Sequence, residues 1–425
     1  LSRREILRRG FFASGTLLAG SHLAACTGGG RPGPGGMQYD PDLATLNQGA
    51  RPLGDVGPLL PPDENGVALP AGFKSRILAQ TGQEVLRGDG SSTGHAWHID
   101  PDGGATFPTE DGGWIYVSNA EDTPGGVGAL RFDAQGEIVD AYSICENTRN
   151  NCAGGPTPWG TWITCEEATG GYAIECDPYG RLDPVELPAM GRYNHEAVAI
   201  DPVGQAAYLT EDRGDGALYK CVADNYPDFR SGTLYALCVV SGDPNIGPAP
   251  VEWKEVADPS GGTIELINPL QPSQRLIEER NPTRQQVEGY QPFAGGEGIW
   301  YFQGIIYFAT KGDNCVWALD LVAQTVEKII DFRAEGVLED PSFSVDNVTV
   351  TGAGDVIVAE DGSDTRLVVV TPDRRALTFL KVHHAGSELT GPAFSPDGQR
   401  LYFSSQRGDN GAGGVTFEIT GPFQA

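Results

Sequence analysis

The chain has 425 residues and carries 57 Asp plus Glu against 29 Lys plus Arg, a formal net charge of −28. That balance excludes nucleic acid as a partner, because phosphate backbones are held by clustered Lys and Arg. Two Met and an apolar fraction of 39 % leave no room for a polytopic membrane protein, while 59 Gly and 31 Pro suit a turn-rich β chain, either one repetitive domain or two or three smaller ones.

Residues 1–26 read as an export signal. Ser2-Arg3-Arg4-Glu5-Ile6-Leu7-Arg8 resembles the twin-arginine pattern, and the Phe11 to Ala25 run behind it is apolar but too short to span a bilayer as a helix. Leu23-Ala24-Ala25-Cys26 resembles a bacterial lipobox. The expectation is an extracytoplasmic monomer whose membrane contact is limited to a lipid on Cys26. Twin-arginine export carries folded proteins, often because a metal is loaded before crossing. Residues 27–62, Gly/Pro-rich at their start, are expected as a linker, and 63–425 as the folded body.

Eight Cys in an oxidising compartment raise the prospect of disulfides. Cys145 with Cys152 and Cys221 with Cys238 are candidate closures. Cys165, in Thr164-Cys165-Glu166-Glu167, is the candidate free thiol, since a thiolate between carboxylates needs a metal to compensate its charge.

From about Gly72 onward the chain is a series of short strand-like runs punctuated by Gly, Pro, Asp and Asn, such as Trp114-Ile115-Tyr116-Val117 and Ile305-Ile306-Tyr307-Phe308. The runs repeat. Asn194-His195-Glu196 opens a strand, turn, strand unit that closes on Glu211-Asp212; Glu297 opens one ending at Asp313; Asp346-Asn347 opens one ending at Glu360-Asp361. A further unit runs from Gly391-Pro392 to Gln406-Arg407, and a looser one ends in Ser118-Asn119-Ala120-Glu121-Asp122. With the Cys165 segment this predicts an all-β, six-bladed propeller, a sandwich or split arrangement being the alternative. The Pro-, Asn- and Gln-rich stretch 223–293 is expected as a long insertion.

The acids fall at matching places in the units. Glu121-Asp122, Glu166-Glu167, Glu211-Asp212 and Glu360-Asp361 each follow an apolar run, while Glu196, Glu297 and Asp346 mark unit starts. In a propeller these positions converge at one end of the central channel. So many carboxylates raise one another's pKa, and hard cations with oxygen ligands, calcium above all, relieve the repulsion. His195 beside Glu196 and Arg192 is a candidate site residue, Lys311 a candidate salt-bridge or anion contact, and Trp159, Trp162, Trp300 and Trp317 are expected in the packing.

Asn151-Cys152-Ala153-Gly154-Gly155-Pro156-Thr157-Pro158-Trp159-Gly160-Thr161-Trp162-Ile163-Thr164-Cys165-Glu166-Glu167, Asn194-His195-Glu196, Tyr208-Leu209-Thr210-Glu211-Asp212, Gly296-Glu297-Gly298 and Glu360-Asp361-Gly362 together resemble the PhoX-type secreted alkaline phosphatase family. The resemblance implies a propeller with a mixed iron (Fe3+) and calcium (Ca2+) cluster that hydrolyses small phosphate monoesters. It implies Cys165 as the iron thiolate and Glu211, Glu297 and Glu360 as metal carboxylates, joined by Glu167, Glu196 and Asp361; Glu166 and Asp212, the other acids of their couplets, are further metal candidates by position. It also implies Asn119 as a phosphate contact.

The sequence departs from the family at one place. Typical members carry an Arg two residues before the equivalent of Glu297, and here that residue is Gly295. The bidentate donor suited to phosphate is then missing, and either another cation, such as Arg192, Lys311 or Arg407, takes its role or the substrate differs. Rival expectations are a calcium-dependent lactonase or esterase and a non-enzymatic, calcium-stabilised binding propeller.

Overall fold

The computed structural model describes residues 50–267, 275–339, 342–362 and 364–424; the twin-arginine segment and Cys26 lie outside them. The described chain is almost wholly β, with short 3-10 turns between strands, and its architecture is propeller-like. Sheets of four, four, nine, five and four strands are joined by two small hairpins. The strands are short because Asp-, Pro- and Gly-containing turns interrupt them. In Ser395-Pro396-Asp397-Gly398, Ser395 Oγ donates to Asp397 Oδ1 (2.6 Å) and the Gly398 N–H to the Ser395 carbonyl (2.8 Å). Gly398 sits at φ +66°, a conformation glycine adopts without Cβ strain.

The edge strands Pro101–Pro108, Asn151–Pro156, His195–Asp201, Gly296–Phe302, Val345–Val350 and Leu389–Phe394 lie side by side in a closed ring. Because each sheet packs against neighbours on both faces, strands near the ring, such as Val345–Val350 and Val356–Glu360, are buried along their whole length. The outer strand Asp228–Val239 instead mixes buried and exposed positions. The ring closes where the chain's two ends share a sheet, Lys74–Gln80 pairing with Val415–Thr420. Trp162 and Trp317 are buried, and Trp159 and Trp300 pack against the core clusters, as the sequence predicts.

Three expectations change. Residues 50–62 are not all linker: Leu53 is buried and its N–H donates to Asp355 Oδ2 at 2.7 Å. The 223–293 stretch begins inside a sheet, with Asp228–Val239 paired to Leu218–Asn225 and Ala249–Glu255 continuing toward Thr325–Asp331. The candidate disulfides do not form, the described cysteines being free. Cys221 stands opposite Leu234 and Cys238 opposite Glu252, so the ladder register keeps the two apart. Cys145 packs in the same core cluster as Cys176, whereas Cys152 faces the centre of the ring.

Candidate metal centre

Register explains how the acids converge. The first residue of each ring strand pairs with the last residue of the strand that follows: Pro101 with Ala120, Asn151 with Glu166, His195 with Glu211, Gly296 with Thr310, Val345 with Glu360, and Leu389 with Ser405. A register shift lies beside each of these pairs, and such bulges re-aim side chains. The next residue on each ring strand is Asp102, Cys152, Glu196, Glu297, Asp346 or Thr390. The first residue past each second strand is Glu121, Glu167, Asp212, Lys311, Asp361 or Gln406. Two interleaved sets of mostly acidic side chains therefore come to one end of the ring.

Three groups of donors result, Asp102/Glu121/Cys152, Cys152/Glu167/Glu196 and Glu196/Glu297/Asp346, each with its ligand atoms within 4.8 Å of one another. The first and second share Cys152 and the second and third share Glu196, and the Cys152 Sγ and Glu196 Oε1 are 3.3 Å apart. Gln406 Nε2 donates to Asp102 Oδ2 and Glu121 Oε2, both at 2.7 Å. On the other flank Lys311 Nζ lies 3.2 Å from Glu297 Oε1 and 2.8 Å from Asp361 Oδ2, and Arg407 lies 2.6 Å from Glu388 Oε1.

Burial first, and like charge second, pushes these acids toward their neutral forms. Glu167 is raised to about 8 by burial and then by Asp212 and Glu121. Asp346 is raised to about 7 by burial, with Lys311 pulling the other way. Asp102, Glu196 and Glu297 are also raised, burial leading, and the Cys152 thiol is pushed up by burial and by Asp102 and Glu196. Glu388 is raised to about 10 by burial and its hydrogen bond to Asp361. Burial alone would raise Asp361 too, but the Glu388 hydrogen bond and the Lys311 charge bring it down to about 2. One proton is thus held on Glu388 beside an ionised Asp361.

The arrangement fits metal ions. Glu297 Oε1, in a side chain buried to 2 % exposure, accepts no hydrogen bond even though Lys311 is within ion-pair range. Lys311 gives that oxygen one positive charge, but Glu196 is surrounded by Glu297, Glu167, Asp346 and Asp102, and that many buried carboxylates need further cations. Carboxylate oxygens suit calcium, and a single thiol among them suits iron.

The structure sorts the predicted residues. Glu167, Glu196, Asp212, Glu297, Lys311 and Asp361 gather at the mouth: Asp212 bears on both Glu167 and Glu297. Seven others do not, for identifiable reasons. Cys165 points into an apolar cluster with Tyr193 and Leu209, its thiol pushed up by burial alone. In three of the four couplets the first acid ends its strand and faces back into the blade, while in Glu121-Asp122 the first acid already lies past the strand and enters the mouth. In the blade Glu166 meets Arg149 at 3.3 Å, Glu211 meets Arg284 at 2.6 Å, and Glu360 meets Arg366 at 2.8 Å.

Asn119 is fully engaged: Nδ2 donates to the Cys152 and Ala153 carbonyls at 3.0 and 2.7 Å, and Oδ1 accepts from Trp162 Nε1 and Thr164 Oγ1 at 2.9 Å. It ties neighbouring sheets together and has no donor left for an anion. His195 stacks on Tyr193 with ring centroids 3.8 Å apart, pairs with the Gly191 carbonyl at 3.0 Å, and is driven down to about 4 by burial. Arg192 lies 4.2 Å over the Tyr172 ring and donates to Gly170 O, engaged away from the mouth.

Sequence reasoning missed Cys152, Asp102, Glu388 and Gln406 as site residues, and it placed Glu121 and Asp346 among the converging acids without naming them as ligands. The legible signal was position: every mouth residue on a ring strand is the second of its strand, apart from Glu388, which precedes Leu389.

Two consequences are measurable. Arg284→Met leaves Glu211 buried without its partner and is expected to cost about 3–5 kcal/mol in urea unfolding, with bound metal unchanged. The second concerns pH. Glu167, Asp346 and Glu211, the last raised to about 7 chiefly by burial, bind protons more tightly folded than unfolded. Their contribution is full below the ordinary carboxylate value of about 4 and is lost as pH rises through about 7 to 8. Metal-free protein is expected to melt several degrees lower at about pH 8.5 than at about pH 5, and bound metal should flatten that slope.

The ring of sheets and its acidic, thiol-bearing mouth define a β-propeller with a central polyanionic site. A family model for alkaline phosphatase PhoX matches residues 125–170, 168–320 and 312–409, and the chain belongs to that family. Among solved structures, Pseudomonas fluorescens PhoX in complex with vanadate, a transition state analogue, is similar with 17 % identity and a TM-score of 0.67, over 85 % of this chain and 97 % of that one. Regucalcin from Agrobacterium tumefaciens, a calcium-binding protein, is similar with 15 % identity and a TM-score of 0.47 over 83 % of this chain and 96 % of that one. No curated protein matches the chain.

Proposed function

We propose that the chain is a metal-dependent phosphomonoesterase of the PhoX type, acting on small phosphate esters outside the cytoplasm. The observation that carries this reading is the set of three donor groups linked through Cys152 and Glu196 in a chain of the PhoX family. Asp102, Glu121, Cys152, Glu167, Glu196, Glu297 and Asp346 would hold calcium and iron, with Cys152 rather than Cys165 as the iron thiolate. Bound cations would polarise the phosphoryl oxygens and furnish an oxygen nucleophile.

The remaining roles fall to the chain's own groups. Arg407, half exposed beside Glu388, presents a guanidinium at the rim and takes the part of the missing family Arg. Glu388, holding a proton beside Asp361, is placed to donate it to the leaving oxygen. Arg407→Ala is expected to raise KM for an aryl phosphate about 10-fold, from loss of a charge-assisted hydrogen bond, with a smaller effect on kcat.

The architecture in this reading is a six-bladed propeller over 63–425, the nine-stranded sheet counting as two blades joined at Ala249–Glu255 and Thr325–Asp331. Export by the twin-arginine route and a lipid at Cys26 belong to the same proposal, resting on the amino-terminal sequence. No helix of the described residues is long and apolar enough to cross a membrane. The test is a panel of phosphomonoesters and lactones assayed with iron and calcium present. Turnover confined to phosphoesters is expected; lactone turnover with calcium alone would overturn the reading.

A further inference from the structure

We infer that Lys311 is a built-in cation: its ammonium fills one cation place of the acidic mouth that a further metal ion would otherwise take. The inference rests on the metal-binding reading above and concerns how many ions that site accepts.

Position singles the residue out. Past their second strands the repeats present Glu121, Glu167, Asp212, Asp361 and Gln406, all oxygen-bearing, and Lys311 alone is cationic. The ammonium sits between two carboxylates, 3.2 Å from Glu297 Oε1 and 2.8 Å from Asp361 Oδ2. The three donor groups are linked from Asp102 to Asp346 through shared Cys152 and Glu196, and Lys311 connects the last of them, through Glu297, to Asp361.

The backbone explains why the cation comes from this side. Gly295 is at φ +63°, and a Cβ there would lie 3.1 Å from Gly312 N and 3.5 Å from Lys311 Cβ. A side chain at 295 is thus disfavoured by conformation and crowded by the segment that carries Lys311. The charge is supplied across the hairpin instead of from the family position. A tethered ammonium neutralises carboxylates and donates hydrogen bonds, but it carries no exchangeable water and cannot act as a Lewis acid. It therefore balances charge permanently where a metal ion would exchange.

The experiment counts ions. Wild type, Lys311→Met and Lys311→Arg are loaded with iron and calcium, desalted, and measured for metal per chain by elemental analysis, with folding checked by circular dichroism. The Met variant is expected to hold about one more ion per chain, calcium being the cation suited to the oxygens it frees, and the Arg variant to match wild type. A folded Met variant with the same count as wild type, or a lower one, overturns the inference. Asp361→Asn gives an independent reading. Because Lys311 already holds Asp361, the ion count should stay at the wild-type value, and loss of an ion would overturn the inference. A wild-type chain that holds no metal would overturn the metal-centre reading itself, an outcome distinct from either variant result.

Discussion

Cys152→Ala is expected to abolish phosphatase turnover, by about 100-fold or more, and to strip the iron from the protein while leaving the fold intact. Cys152 belongs to two of the three donor groups and is their only sulfur, so its loss removes the soft ligand from both at once. Its burial among Asp102 and Glu196 raises the thiol's pKa, and forming the thiolate there requires a cation to offset the like charges. Cys165→Ala is the informative contrast. That side chain lies in an apolar cluster, so its truncation should lower stability by about 1–2 kcal/mol without changing bound metal. Visible absorption from a thiolate-to-iron charge transfer, present in wild type and Cys165→Ala and absent in Cys152→Ala, is the check.

Glu196→Gln is expected to move activity and stability in opposite directions. Glu196 joins two donor groups, so the amide should collapse metal loading and turnover together. In metal-free protein at about pH 8 the same change should stabilise the fold, because a carboxyl group that burial forces to keep its proton above its ordinary pKa opposes folding as the pH rises. The driving force is burial, followed by the charges of Glu297, Glu167 and Asp346. Urea titration in chelator, beside elemental analysis after loading, separates the two effects. Loss of both stability and metal would mean that Glu196 is chiefly a packing residue.

The repeat of strand, turn, strand was plain in the sequence because β runs and turn residues are local signals, and so was the convergence of acids at unit ends. What sequence reasoning could not resolve was which member of each couplet turns inward. A one-residue change of phase sends a strand side chain to the opposite face, and the register shifts beside the ring strands set that phase. Glu211 and Glu360 thus became partners of Arg284 and Arg366, while Asp212 and Asp361 entered the mouth. The same parity separates Cys152 from Cys165: both lie in the motif that carries the family resemblance, and only the fold places one at the mouth and the other in the core. Arg284 was invisible for a different reason, since it reaches Glu211 across 73 residues of chain.

The central claim is that the acidic mouth holds metal ions that hydrolyse phosphate monoesters. The most direct test is the rate of p-nitrophenyl phosphate hydrolysis by iron- and calcium-loaded protein, followed as a chelator removes the metal and as the metal is restored. The rate should fall in step with bound metal and return with it. A protein that retains its metal yet hydrolyses no phosphoester, or one whose rate survives complete metal removal, would contradict the claim.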